Sequence, residues 1–95
     1  MIVIRNTFQL KFGKAKEAKA IVLKIREIEN NNMRMRVLSD ITGPFYTLVI
    51  EFEEESLTAW EKRQQETLAM AELRPHFEAL YELTVSGHRE IMNVI

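Results

Sequence analysis

Residues 2 to 10, IVIRNTFQL, alternate with a period of two: Ile2, Ile4, Asn6, Phe8 and Leu10 fall on one side of an extended chain, Val3, Arg5, Thr7 and Gln9 on the other. This predicts a strand with one apolar face, interrupted by the amide of Asn6. Beyond Gly13 the period lengthens. Ala18, Ile21, Val22, Ile25 and Ile28 recur at helical spacing with lysines between them, until ENNN at 29 to 32 ends the run. MRMRVLSD alternates again, with Met33, Met35 and Val37 set against Arg34, Arg36 and Leu38. ITGP then supplies turn residues before FYTLVIEFE at 45 to 53, so these two strands are expected to be antiparallel neighbours.

Ser56 is placed as an N-cap, and Glu53, Glu54 and Glu55 put negative charge near the positive end of the helix that follows. That helix carries Leu57, Trp60, Gln64, Leu68 and Ala71 along one stripe. Pro75 cannot continue it comfortably, which predicts a break near Arg74 and a second short helix with Phe77, Leu80 and Tyr81 facing inward. SGHREIMNVI closes the chain as a strand after Gly87. The element order is β-α-β-β-α-β, the ferredoxin-like α+β plan. It is an antiparallel four-stranded sheet with its helices on one face, in a single domain over 1–95.

The strand FYTLVIEFE is apolar on both sides, with Tyr46, Leu48, Ile50 and Phe52 on one and Phe45, Thr47 and Val49 on the other. Helices of a chain this short can cover only one face of the sheet. The other face calls for a second copy, so a homodimer with its two sheets facing one another is expected.

Composition narrows the function. The chain is 46% apolar and 28% charged, the profile of one globular domain with a thin core. It contains no cysteine, which excludes disulfides, a thiolate nucleophile and a cysteine zinc site and fits a cytoplasmic location. MIVIRNTF has no basic leader, and no apolar stretch approaches the ~20 residues of a membrane helix, so no membrane association is expected.

The net charge of -1 conceals nine Lys/Arg against four Asp/Glu in residues 1 to 50, and four against ten in residues 51 to 95. Such cancelling halves fit complementary faces within the fold, or between copies, better than the uncancelled basic face of a nucleic-acid binder. The glycines at 13, 43 and 87 form no phosphate loop. FYTLVIEFE also lacks the basic and glycine positions of an RNA-recognition strand, so no nucleic-acid partner is expected. The run EFEEES reads as a solvated helix start.

The glycine before a lysine-rich first helix, LKFGKAKEAKAIV, and the tryptophan early in the second, SLTAWEKRQ, resemble the dimeric α/β barrel superfamily. Within it the likeness is to NIPSNAP-like and antibiotic-biosynthesis-monooxygenase-like domains. The resemblance covers the whole chain and implies a barrel-like dimer, each subunit enclosing a pocket between sheet and second helix. Members include cofactor-free oxygenases of aromatic substrates and heme-degrading enzymes, and many have no known activity, so the fold alone does not carry the function. In the heme-degrading members an asparagine of the first strand and a tryptophan early in the second helix form the site. Asn6 and Trp60 match these. Their axial histidine lies about three helical turns after the tryptophan. Met70 stands near that position here, and His76 lies further along.

Asn6, Trp60 and His76 are therefore the candidate catalytic residues, with Ile4, Phe8, Leu57 and Gln64 around them. An amide between Ile4 and Phe8 must find hydrogen-bond partners in the protein or in a ligand. Trp60 on an apolar stripe packs, and can border a pocket as it does so. His76, just after Pro75, is either a base or a helix-end residue. Two histidines without ligand spacing make no dedicated metal site, and His88 has no second histidine near it. Two functions remain open. One is a non-catalytic dimer, a scaffolding module or one that binds a small apolar or aromatic ligand, without a resident cofactor. The other is a monooxygenase-type enzyme, cofactor-free or heme-degrading, in which Asn6 holds the substrate oxygen and His76 takes its proton.

Overall fold

The computed structural model describes residues 1–29 and 35–95. Its elements are β1 (Ile2–Leu10), α1 (Ala15–Glu29), β2 (Arg36–Ser39), β3 (Thr47–Glu54), α2 (Leu57–Leu68), a 3-10 turn (Ala71–Leu73), α3 (Arg74–Glu82) and β4 (Thr84–Asn93). The sheet order is β2-β3-β1-β4 with every adjacent pair antiparallel, which is the ferredoxin-like arrangement. Asn31, Asn32, Met33 and Arg34, on which part of the expected helix stop and second strand fell, lie outside the described residues, as does Asn30.

Period determines which face each residue serves. Ile4, Phe8 and Leu10 of β1, Leu48 and Ile50 of β3 and Val37 of β2 share the face that α1 and α3 cover. Ala18 and Val22 of α1 and Leu80 of α3 complete a core with Leu10, Leu48 and Ile50. Ile4, Val22, Leu48, Leu73 and Leu80 are nearly or fully inaccessible to solvent, each worth roughly 1.5–3 kcal/mol of burial. Gly13 turns the chain from β1 into α1 with a φ of 77°, in the left-handed region that glycine enters without penalty. Ser56 caps α2, its Oγ accepting from the Ala59 N–H at 3.1 Å. Pro75 sits in the first turn of α3, where it forfeits no helical hydrogen bond.

Three expectations need correction. β4 begins at Thr84 and not after Gly87. Gly87 lies within the strand opposite Phe8, where an added Cβ would stand 3.0 Å from the Thr7 carbonyl oxygen. Phe45 is not a strand residue: Tyr46 adopts a positive φ of 58° just before β3, and Phe45 is left exposed. Nor is EFEEES a solvated run, because Glu51 and Glu54 are both buried.

Glu51 stands on the sheet face away from the helices, accepting from Arg5 Nε at 2.8 Å and from Arg36. That face is therefore an ion-paired centre flanked by Val3, Leu38, Val49 and Met92, and less apolar than strand alternation alone implied. The hydrogen bond from Arg36, then that from Arg5, hold the Glu51 carboxyl below its ordinary range against the opposing effect of burial.

A carboxylate whose pKa falls on folding stabilises the protein above its unfolded pKa, and that contribution is lost as pH falls through the folded value. Glu51→Gln is expected to lower stability at neutral pH and to flatten its decline in acid, measured by urea unfolding across pH; an unchanged acid limb contradicts the assignment. In the core, Leu80→Ala is expected to cost about 2–5 kcal/mol in the same assay.

Candidate functional site

α2 contributes no fully buried side chain. Its links to the sheet are polar. Arg63 Nε lies 3.1 Å from both oxygens of Glu54 at the end of β3, and Trp60 lies beneath Arg89 of β4, whose guanidinium carbon is 4.9 Å from the ring centroid. Between α2, α3 and the sheet is a cavity of about 120 Å³. Phe8, Ile50 and Phe52 form its floor, Trp60 and Gln64 one wall, and Phe77, Leu80 and Tyr81 another. Phe77 and Tyr81 stack with centroids 6.4 Å apart. Asn6, Arg63, Gln64, Thr67 and Arg89 supply polar groups at its sheet and α2 sides, and Glu29 approaches from the end of α1.

Register explains how Asn6 meets Arg89. The two residues face one another across the β1–β4 pair, with Ile50 opposite Asn6 on the other side. Arg89 Nε donates to Asn6 Oδ1 at 2.6 Å. The amide oxygen of Asn6 is thus engaged by a guanidinium, and Arg89 is the charged group that Asn6 orients. Trp60 has one ring face under that guanidinium. Its Nε1 is buried with no hydrogen-bond partner among the described residues, a condition that costs roughly 1–3 kcal/mol when nothing compensates it.

The candidate residues divide accordingly. Asn6, Trp60, Phe8 and Gln64 line this one cavity. Ile4 is fully buried and is not part of the lining. Leu57 is half exposed in the first turn of α2, away from the cavity wall. His76 lies in the first turn of α3, half-buried, and does not line the cavity either. No histidine is among the described lining residues, so the axial histidine that the resemblance implies has no counterpart on this wall. Arg89 was missed. Its signal lay in SGHREIMNVI, where Gly87, Arg89 and Ile91 alternate with His88, Glu90 and Met92 and place a cation on the helix-covered face.

No protein-family profile matches the chain, and no curated protein matches it. Solved structures do. A NIPSNAP domain protein from Burkholderia xenovorans superposes with a TM-score of 0.81 at 15% identity, over 100% of this chain and 95% of that one. A NIPSNAP family protein of unknown function from Agrobacterium tumefaciens gives 0.84 at 18%, over 97% and 86%. A proposed antibiotic biosynthesis monooxygenase from Nitrosomonas europaea gives 0.78 at 15%, over 100% and 99%. The chain thus has, from end to end, the fold shared by NIPSNAP and antibiotic-biosynthesis-monooxygenase-like proteins.

Proposed function

We propose that this protein binds a small apolar or aromatic ligand in the cavity between sheet and α2, and does so as a homodimer joined through the open sheet faces. The observation that carries the ligand reading is the cavity itself. Its floor and α3 wall are aromatic and aliphatic, whereas a few polar side chains, Asn6, Arg89 and Gln64 among them, line it from β1, β4 and α2. Concave apolar sites with few, well-placed polar groups are what small-molecule binding requires. The dimer reading rests on the open face. Leu38 and Met92 are each about 40% exposed there, and a second copy would cover them together with the Arg5–Glu51–Arg36 cluster.

A monooxygenase-type enzyme is the second reading, favoured by the cation and amide at the cavity, which suit a deprotonated substrate oxygen, and by the description of the Nitrosomonas neighbour. His76, the base this reading assigns, stands outside the lining.

Titration of Trp60 fluorescence with a panel of quinols, flavins and heme, run beside light scattering and oxygen consumption, tests both. Saturable quenching by an aromatic compound, in a protein of twice the chain mass, is the expected result. Absence of quenching by every compound contradicts the ligand reading, and monomer mass contradicts the dimer. Oxygen uptake with a quinol would move the assignment to the enzyme.

A further inference from the structure

Three charged side chains line the cavity, Arg63, Arg89 and Glu29; Glu29 has a partner of its own, and the two arginines differ in a way that bears on the ligand's chemistry. Of the two arginines in its lining, Arg63 is neutralised by Glu54 through contacts to both carboxylate oxygens. Arg89 differs. Its hydrogen-bond partner among the described residues is the neutral amide of Asn6, reached through Nε, and its flank rests on Trp60. A guanidinium has five N–H donors, and a single bond at Nε leaves the terminal nitrogens for another acceptor. Trp60 is in the same lining, and its Nε1–H is buried with no partner among the described residues. Aromatic stacking on the indole face beneath Arg89 is blocked by the guanidinium, so a ligand meets Trp60 at its edge or on its other face.

Resting on the ligand-binding reading above, we infer that the cavity selects a small organic anion: an aromatic or apolar body seated against Phe8, Ile50, Phe52 and Phe77, with an anionic oxygen accepting from the terminal nitrogens of Arg89. Asn6 is then a positioning residue. It turns the guanidinium by holding Nε through its amide oxygen. Carboxylate, phenolate and enolate oxygens share the required chemistry, since each is a planar, charge-bearing acceptor that a guanidinium engages more strongly than a neutral carbonyl.

The single tryptophan makes the test direct, because a 15N-labelled full chain shows one indole N–H signal. Naphthalene-2-carboxylate, its neutral isostere naphthalene-2-carboxamide, and 2-naphthol titrated above and below its own ionisation serve as probes. The carboxylate is expected to move the indole signal saturably and to bind about tenfold more tightly than the carboxamide. Naphtholate is expected to follow the carboxylate, and neutral naphthol the carboxamide. Arg89→Met is expected to bring the carboxylate-to-carboxamide affinity ratio close to one, and Arg89→Lys to retain part of the preference. Asn6→Ala is expected to reduce the same ratio, whereas a merely structural role would weaken both probes alike. Equal binding of carboxylate and carboxamide by the unaltered protein overturns the inference and leaves the ligand-binding reading standing. Anion preference that survives Arg89→Met overturns the role of Arg89. No response of the indole signal to any probe overturns both readings.

Discussion

Arg63 reaching from α2 to Glu54, and Trp60 lying under Arg89, tie the outer helix to the sheet where apolar burial does not. The other two helices are held differently. α1 buries Ala18, Val22 and Ile25, and α3 buries Leu80, against the core that β1 and β3 contribute. α2 has no fully buried side chain, and the cavity lies beneath it. Phe8, Ile50, Phe52 and Phe77 are left facing one another across a gap instead of interlocking. The same polar ties supply the groups that give the gap chemical character, so the attachment of α2 and the properties of the cavity have one origin.

On the other side of the sheet, charge also substitutes for a cover. Arg5 and Arg36 come from the basic half of the chain and Glu51 from the acidic half, so the opposed charges of the two halves meet within one subunit. The two arginines shield Glu51 from solvent and hold its carboxyl below the ordinary range. This side of the sheet therefore offers neither a continuous apolar plate nor a solvated surface. It has a neutralised centre with aliphatic margins, which suits a contact between like surfaces better than an isolated buried charge would.

Much of the fold was legible because periodicity, caps and turns agreed along the chain. Ile4, Phe8 and Leu10, the stripe Ala18, Val22 and Ile25, the cap at Ser56 and the break at Pro75 each predicted their element, and together they implied the ferredoxin-like order. The errors arose where identity depended on a distant partner. Glu51 and Glu54 look solvated until Arg5, Arg36 and Arg63 are brought to them. Gly87 looks like a strand start until Phe8 and Thr7 occupy the space beside it. In the site, Asn6 and Trp60 could be singled out by type and position, but Arg89 acquires its role only through the β1–β4 register. His76 lay near Trp60 in sequence, and the turn over Ala71–Leu73 that precedes α3 leaves it off the cavity wall.

Amide hydrogen exchange, resolved by helix, tests most directly whether α2 is a polar-tethered wall over a cavity. A helix without buried apolar side chains opens at lower free energy than its packed neighbours. Amides of α2 should therefore exchange well ahead of those of α1 and α3, and Arg63→Met should accelerate α2 while leaving α1 unchanged. Equal protection of α2 and α1, with no selective effect of Arg63→Met, would mean that α2 is packed on the sheet like the other helices and is not a polar-tethered wall.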